Sequence, residues 1–198
     1  MSERPLHIFL ARHGETEWSV TGRHTGRKDI PLTTAGEEAA RKLGERLRSR
    51  SFAAVFTSPL QRARRTCELC GMAGVARVVP ELVEWDYGEY EGLRSAEIRA
   101  RQPDWRLFRD GCPAGESPQD VAARADAVLP RLKSAGGDVL VFAHGHFLRM
   151  LMSRWMGMAP ELAARFSLDA ASLSILSADP HSGDPVVERW NDIAHLAP

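Results

Sequence analysis

Three short stretches of the chain carry residues suited to chemistry. Arg12-His13-Gly14 follows the apolar run Leu6 to Ala11, Ser58 to Arg65 follows Ala53 to Thr57, and His144-Gly145-His146 follows Asp138 to Ala143. Each sets arginine or histidine at the end of a hydrophobic segment. Arginine's planar fork makes paired, charged hydrogen bonds to phosphate or carboxylate oxygens. Histidine, with an ordinary pKa of about 6.5, works near neutrality as a neutral nucleophile or a charged donor. Brought together, two arginines and two histidines would form a compact anion site. The acidic loop Glu84 to Glu91 could supply the proton that a departing oxygen needs.

For these residues to meet, the apolar runs must lie side by side as strands. Leu6 to Ala11, Ala53 to Thr57, Ala76 to Val79 and Asp138 to Ala143 read as strands, with later ones near Leu173 to Ser177 and Val186 to Trp190. Helical spacing and capping residues fill the intervals. Thr34 stands three residues before Glu37, and Ala39, Ala40, Leu43 and Leu47 continue at helical spacing, which predicts a helix over 34–50. Ser58-Pro59 reads as N-cap and first helical position of a helix running to about Leu69. Ser117-Pro118 repeats that signature and opens a helix to about Lys133; shorter helices are expected over Ser95–Arg101 and Phe147–Met156. Strands separated by helices imply crossover connections. The expected fold is α/β: a three-layer sandwich with a mostly parallel central sheet and helices on both faces, in a single domain over residues 1–198. Ligands in such sheets sit beyond the carboxyl ends of the strands, where the three stretches fall. Helix N-termini after Ser58 and His144 would add positive dipole ends there.

Composition narrows the choice of ligand. The 198 residues are 43% apolar and 26% charged, ordinary for a globular chain. Lys plus Arg (26) equals Asp plus Glu (26), so the formal charge is zero and a general polyanion binder is a poor reading. The expectation is therefore no nucleic acid and no membrane, since the apolar runs are far shorter than the ~20 residues of a span. Met1 to Pro5 does not read as a signal peptide. Cys67, Cys70 and Cys112 cannot all pair, which suits a reducing cytoplasm. Cys67-Glu68-Leu69-Cys70 has no second cysteine pair and reads as one packed helix face. Five tryptophans without basic excess are no stacking signal for nucleic acid. Arg23, Arg27 and Lys28 are either a solvated loop or a contact for a second anionic group, and His7, His24, His181 and His195 read as structural or surface residues.

Leu10-Ala11-Arg12-His13-Gly14-Glu15-Thr16 resembles the signature of the histidine phosphatase superfamily, the phosphoglycerate-mutase-like fold. Four further stretches match in family order: Thr25-Gly26 with Asp29 to Thr33, Ser58 to Thr66, Glu84 to Gly92, and Ala143 to His146. The resemblance implies that His13 is the nucleophile and becomes phosphohistidine. It implies that Arg12, Arg62 and His144 hold the phosphoryl oxygens. Glu84 would protonate the leaving oxygen and then activate water. Ser19, Thr25, Gly26, Tyr87, Gly145 and His146 would line the substrate side. Arginines and His144 take the charge-neutralising place, so neither metal nor other cofactor is implied. Ser19 stands where mutases usually carry Asn, and no clear equivalent of the mutase lysine follows the acidic stretch. The details look more like the bacterial acid phosphatase and sedoheptulose-bisphosphatase-type members. The expected activity is metal-independent hydrolysis of small phosphomonoesters such as sugar phosphates. The alternatives are a cofactor-dependent phosphoglycerate mutase and, from another class, an idle phosphate-binding adaptor. A homodimer is compatible with this reading.

Overall fold

Alternation of buried residues along two strands fixes the architecture. In β1 (His7–Arg12), Ile8 and Leu10 join one hydrophobic cluster while Phe9 and Ala11 join another. In β4 (Val139–Ala143), Val139, Val141 and Ala143 face the first cluster, and Leu140 and Phe142 the second. A strand whose successive side chains are all buried needs cover on both faces. The computed structural model, which describes residues 6–197, supplies it. The reading of Met1 to Pro5 lies outside the described residues.

The chain runs β1, α1 (Glu17–Val20), α2 (Thr34–Leu47), β2 (Ala54–Thr57), α3 (Gln61–Leu69), β3 (Ala76–Val78), α4 (Ser95–Arg101), α5 (Leu107–Asp110), α6 (Pro118–Lys133), β4, α7 (Gly145–Trp155), β5 (Leu173–Ala178) and β6 (Pro185–Asp192). The sheet order is β3-β2-β4-β1-β5-β6. β3, β2, β4 and β1 are mutually parallel, while β5 and β6 run antiparallel. Leu43 and Leu47 of α2 with Cys67 of α3 cover one face. Val121, Ala125, Val128 and Leu132 of α6, with Phe147, Leu148 and Leu151 of α7, cover the other. This is the expected three-layer α/β sandwich with a mostly parallel sheet.

The antiparallel pair has a local cause. α7 carries the chain back from the carboxyl end of β4, and a 3-10 turn (Pro160–Arg165) follows. Residues 166–172 then climb to the sheet's carboxyl end, where the Ala171 N–H donates to the His13 carbonyl at 3.0 Å. β5 can therefore only descend beside β1, pairing Leu173 with Ala11.

Two helix starts differ from expectation. Ser58-Pro59 is not a cap: α3 begins at Gln61 with Leu60 as N-cap in extended conformation. Ser58 Oγ is engaged by His144 instead, and the Gln61 N–H donates to Asp29 Oδ1 at 2.8 Å. α7 starts at Gly145, two residues before the expected Phe147. The helix over 34–50 stops at Leu47, and α1 and α5 were not anticipated. Among the described residues no helix is long and apolar enough to cross a membrane.

Candidate active site

β1 delivers Arg12 and His13 to the carboxyl edge of the sheet. The His13 N–H donates to the Ala143 carbonyl at 3.0 Å, continuing the β1–β4 ladder by one residue. The chain then turns through Gly14, where a Cβ would lie 2.4 Å from the Gly36 carbonyl oxygen. Only glycine fits that approach. The Gly14 carbonyl sits 2.7 Å from His13 Nδ1. A carbonyl can only accept, so Nδ1 carries the proton and Nε2 keeps its lone pair. Burial, followed by the charges of Arg62 and Arg12, holds the imidazole pKa well below its ordinary value. His13 is thus a neutral base with one free nitrogen.

Behind it lies a buried row. Arg62 and His144 are both fully buried, and the His13 and His144 ring centroids are 5.1 Å apart. Arg62 Nε donates to His144 Nδ1 at 3.2 Å. The proton of His144 is therefore on Nε2, which donates to Ser58 Oγ at 2.7 Å. Arg62 Nη1 donates to the Lys28 carbonyl, and Nη2 donates to those of Thr25 and Gly26. Arg62 fastens the 25–28 loop to His144 and lies off the cavity surface.

A cavity of about 280 Å³ opens in front of His13. Arg12, His13, Glu84, Ser19, Thr25, Tyr87, Gly145 and His146 line it, whereas Arg62, His144 and Gly26 do not. The Gly26 N–H instead donates to Glu91 Oε1 at 2.7 Å. Arg12 Nη1 donates to the Leu168 carbonyl, while its buried Nε has no partner among the described residues. A buried guanidinium N–H left unpaired is costly unless a ligand takes it.

Glu84 reaches the cavity from the opposite side. Its Oε1 accepts from the Trp85 N–H at 2.9 Å and the Phe147 N–H at 2.8 Å, and Oε2 accepts from the His146 N–H at 3.0 Å. Two N–H groups at the positive end of α7 thus meet this carboxylate, and the first N–H of α3 meets Asp29. Arg124 braces the same loop from beneath. It donates to Glu116 through Nε and Nη2 and to the carbonyls of Glu81 and Val83 through Nη1.

The far wall holds residues that sequence reasoning placed elsewhere or passed over. His24, expected to be structural or surface, lines the cavity, with Nε2 at 3.2 Å from Ser95 Oγ. Burial and the Arg99 charge lower its pKa to about 4. Its ring packs 4.7 Å from that of Tyr87, whose hydroxyl lies 2.5 Å from His146 Nδ1. Burial first, and Glu84 second, raise the Tyr87 pKa well above its ordinary value. Arg23, from the basic cluster, also lines the cavity and donates to the Gly92 carbonyl at 2.8 Å; Arg27 pairs with Asp86 outside it. Arg149 and Leu168 complete the wall. Arg149 could have been found one helical turn after Gly145. Leu168 acts through its carbonyl and leaves no side-chain signal. Among the described residues no group of three or more His, Cys, Asp or Glu is placed to hold a metal ion.

A neutral histidine nitrogen, a buried guanidinium and a carboxyl group around one small cavity define an enzyme of phosphate-ester chemistry. The family comparison agrees: residues 8–193 match the histidine phosphatase superfamily (branch 1), and the chain belongs to that family. It is 40% identical over 179 residues to an acid phosphatase of Mycobacterium tuberculosis, covering 88% of each chain. It is 36% identical to the sedoheptulose 1,7-bisphosphatase of Saccharomyces cerevisiae, over 76% of this chain and 67% of that one. A 2,3-bisphosphoglycerate-dependent phosphoglycerate mutase of Methylorubrum populi is 39% identical over 81% and 84% of the two chains. A solved structure of a Mycobacterium tuberculosis open reading frame superposes with a TM-score of 0.89 at 38% identity, covering 95% of this chain and 98% of that one. The protein is a phosphatase that hydrolyses phosphate esters, and the phosphohistidine route is general for its family.

Proposed function

We propose that this chain is a single-domain, cytoplasmic phosphatase of small phosphomonoesters, sugar phosphates among them, with His13 as its nucleophile. The observation that carries the assignment is His13 itself: the Gly14 carbonyl holds the proton on Nδ1 and leaves Nε2 with its lone pair, on a cavity wall shared with Arg12 and Glu84.

The steps follow from the protons. His13 Nε2 attacks phosphorus as the bond from phosphorus to the ester oxygen breaks. Glu84 gives its proton to that oxygen, and the alcohol leaves. Oε2 accepts one backbone N–H against two at Oε1, so Oε2 is the side with room for the proton. Water then yields a proton to Glu84, its oxygen bonds to phosphorus, and the P–N bond breaks to restore His13. Arg12 neutralises charge on the transferring group. Arg62 sets the tautomer of His144, whose Nε2–H lies behind the nucleophile. Ser19, Thr25, Tyr87 and His146 border the leaving group. Three buried free thiols support a reducing compartment.

His13→Ala is expected to abolish release of p-nitrophenol from p-nitrophenyl phosphate, and rapid quenching of the wild type is expected to trap an acid-labile phosphohistidine. Turnover near wild type in His13→Ala overturns the assignment. Assay on 3-phosphoglycerate with and without 2,3-bisphosphoglycerate separates the mutase reading: phosphate release is expected to exceed isomerisation.

A further inference from the structure

We propose that Asn191 and Asp169 form a clasp whose task is to position the Arg12 guanidinium for phosphoryl transfer. The inference rests on the role given to Arg12 above. The Arg12 side chain is anchored by the Leu168 carbonyl, and Leu168 lies in the irregular stretch 166–172. Such a stretch holds a guanidinium still only if it is itself held.

β6 holds it on both sides of Leu168. Trp190 Nε1 donates to the Ser167 carbonyl at 2.7 Å. Asn191 Oδ1 accepts the Asp169 N–H at 2.6 Å, and Asn191 Nδ2 donates to Asp169 Oδ2 at 2.7 Å. The asparagine amide, donor and acceptor in one plane, is matched to an N–H and a carboxylate of the same residue. Its backbone is adapted to the task. Asn191 has φ +54°, next to a register shift between β5 and β6, and its N–H donates to Ser174 Oγ at 3.0 Å. The left-handed region favours glycine and asparagine, and a strand of ordinary φ would not carry this shift. Ala171, also left-handed at φ +55°, ends the stretch, with its N–H on the His13 carbonyl. The hairpin therefore fixes the backbone of His13 and the side chain of Arg12 together.

Asn191→Gly keeps the left-handed backbone and removes both side-chain bonds. It is expected to lower kcat on p-nitrophenyl phosphate about ten-fold and weaken inhibition by inorganic vanadate about ten-fold, with KM within about three-fold, because a guanidinium displaced by about 1 Å loses transition-state contacts first. A residue serving only the fold would lower the melting temperature and leave kcat per folded molecule and the vanadate constant unchanged. Asp169→Asn keeps an oxygen for Asn191 Nδ2 and is expected to stay within about two-fold of wild type, while Asp169→Ala is expected to fall with Asn191→Gly. Wild-type kinetics in Asn191→Gly overturn the clasp, as does Asp169→Asn failing as badly as Asp169→Ala, which would make the charge near Arg12 the agent. Arg12→Ala separates the two levels. If it is inactive while Asn191→Gly is normal, only the clasp falls; if it is active, the underlying role of Arg12 falls.

Discussion

His13, Arg12 and Gly145 show how little freedom the reacting groups have. A carbonyl on Nδ1 decides which nitrogen of His13 can attack, and neighbouring positive charge with burial keeps that nitrogen unprotonated. Gly145 matters through what it lacks. A Cβ there would lie 3.3 Å from both Cζ and Nε of Arg12, against a buried N–H that has no partner among the described residues. Gly145→Ala is expected to push the guanidinium by a few tenths of an ångström, reduce kcat roughly five- to ten-fold and leave the circular dichroism spectrum unchanged. Steady-state kinetics at matched folded concentration check this; an unaltered kcat would show that the guanidinium yields freely.

Helix ends decide which groups feel the backbone dipoles. α7 begins at Gly145 because Glu84 caps its first free N–H groups, and this joins the acid to the histidine stretch across the sheet edge. α6 and α4 were legible in the sequence because their caps are local: Ser117 Oγ accepts the Asp120 N–H at 3.2 Å, and Glu97 reaches back to the Arg94 N–H at 2.8 Å. The start of α3 was not, because Ser58 is claimed by His144, 86 residues away, and Asp29 takes over the capping. The burial of His24 suits its structural reading, but its place on the cavity wall was not legible, because its neighbours Tyr87, Trp105 and Ser95 arrive from two distant loops and α4. The Arg124–Glu116 pair spans α6 and the acidic loop at 2.8 Å, both side chains mostly buried. Arg124→Met breaks the ion pair with Glu116 and leaves the carbonyls of Glu81, Val83 and Glu84 without the Arg124 donor. A loss of about 3 kcal/mol in urea unfolding is expected, with a fall in kcat as the Glu84 loop loosens. An unfolding midpoint equal to wild type would make the pair dispensable.

Across the whole molecule, the parallel part of the sheet was readable from apolar runs separated by helices, while the direction of β5 depended on the climb of residues 166–172, which no periodicity announces. Four imidazoles, those of His13, His24, His144 and His146, share one consequence of burial: each is held below its ordinary pKa, and His24 reaches about 4. Unfolded, they would bind protons below about pH 6.5 that the folded form refuses, so stability falls as pH drops. His24 alone accounts for roughly 2 kcal/mol between pH 6.5 and 5. A melting temperature at least about 5 °C lower at pH 5 than at pH 7 is expected; an equal or higher value at pH 5 would contradict the neutral state of these rings. The two ends of the described chain sit very differently. β1 enters at the amino edge of the sheet, five residues before Arg12, whereas His195 Nε2 donates to the Ala171 carbonyl beside the reacting groups and Arg46 pairs with Asp192. Tension applied beyond β6 would therefore be borne by the very hairpin that steadies the phosphate grip, whereas tension applied ahead of β1 would meet only the amino edge of the sheet.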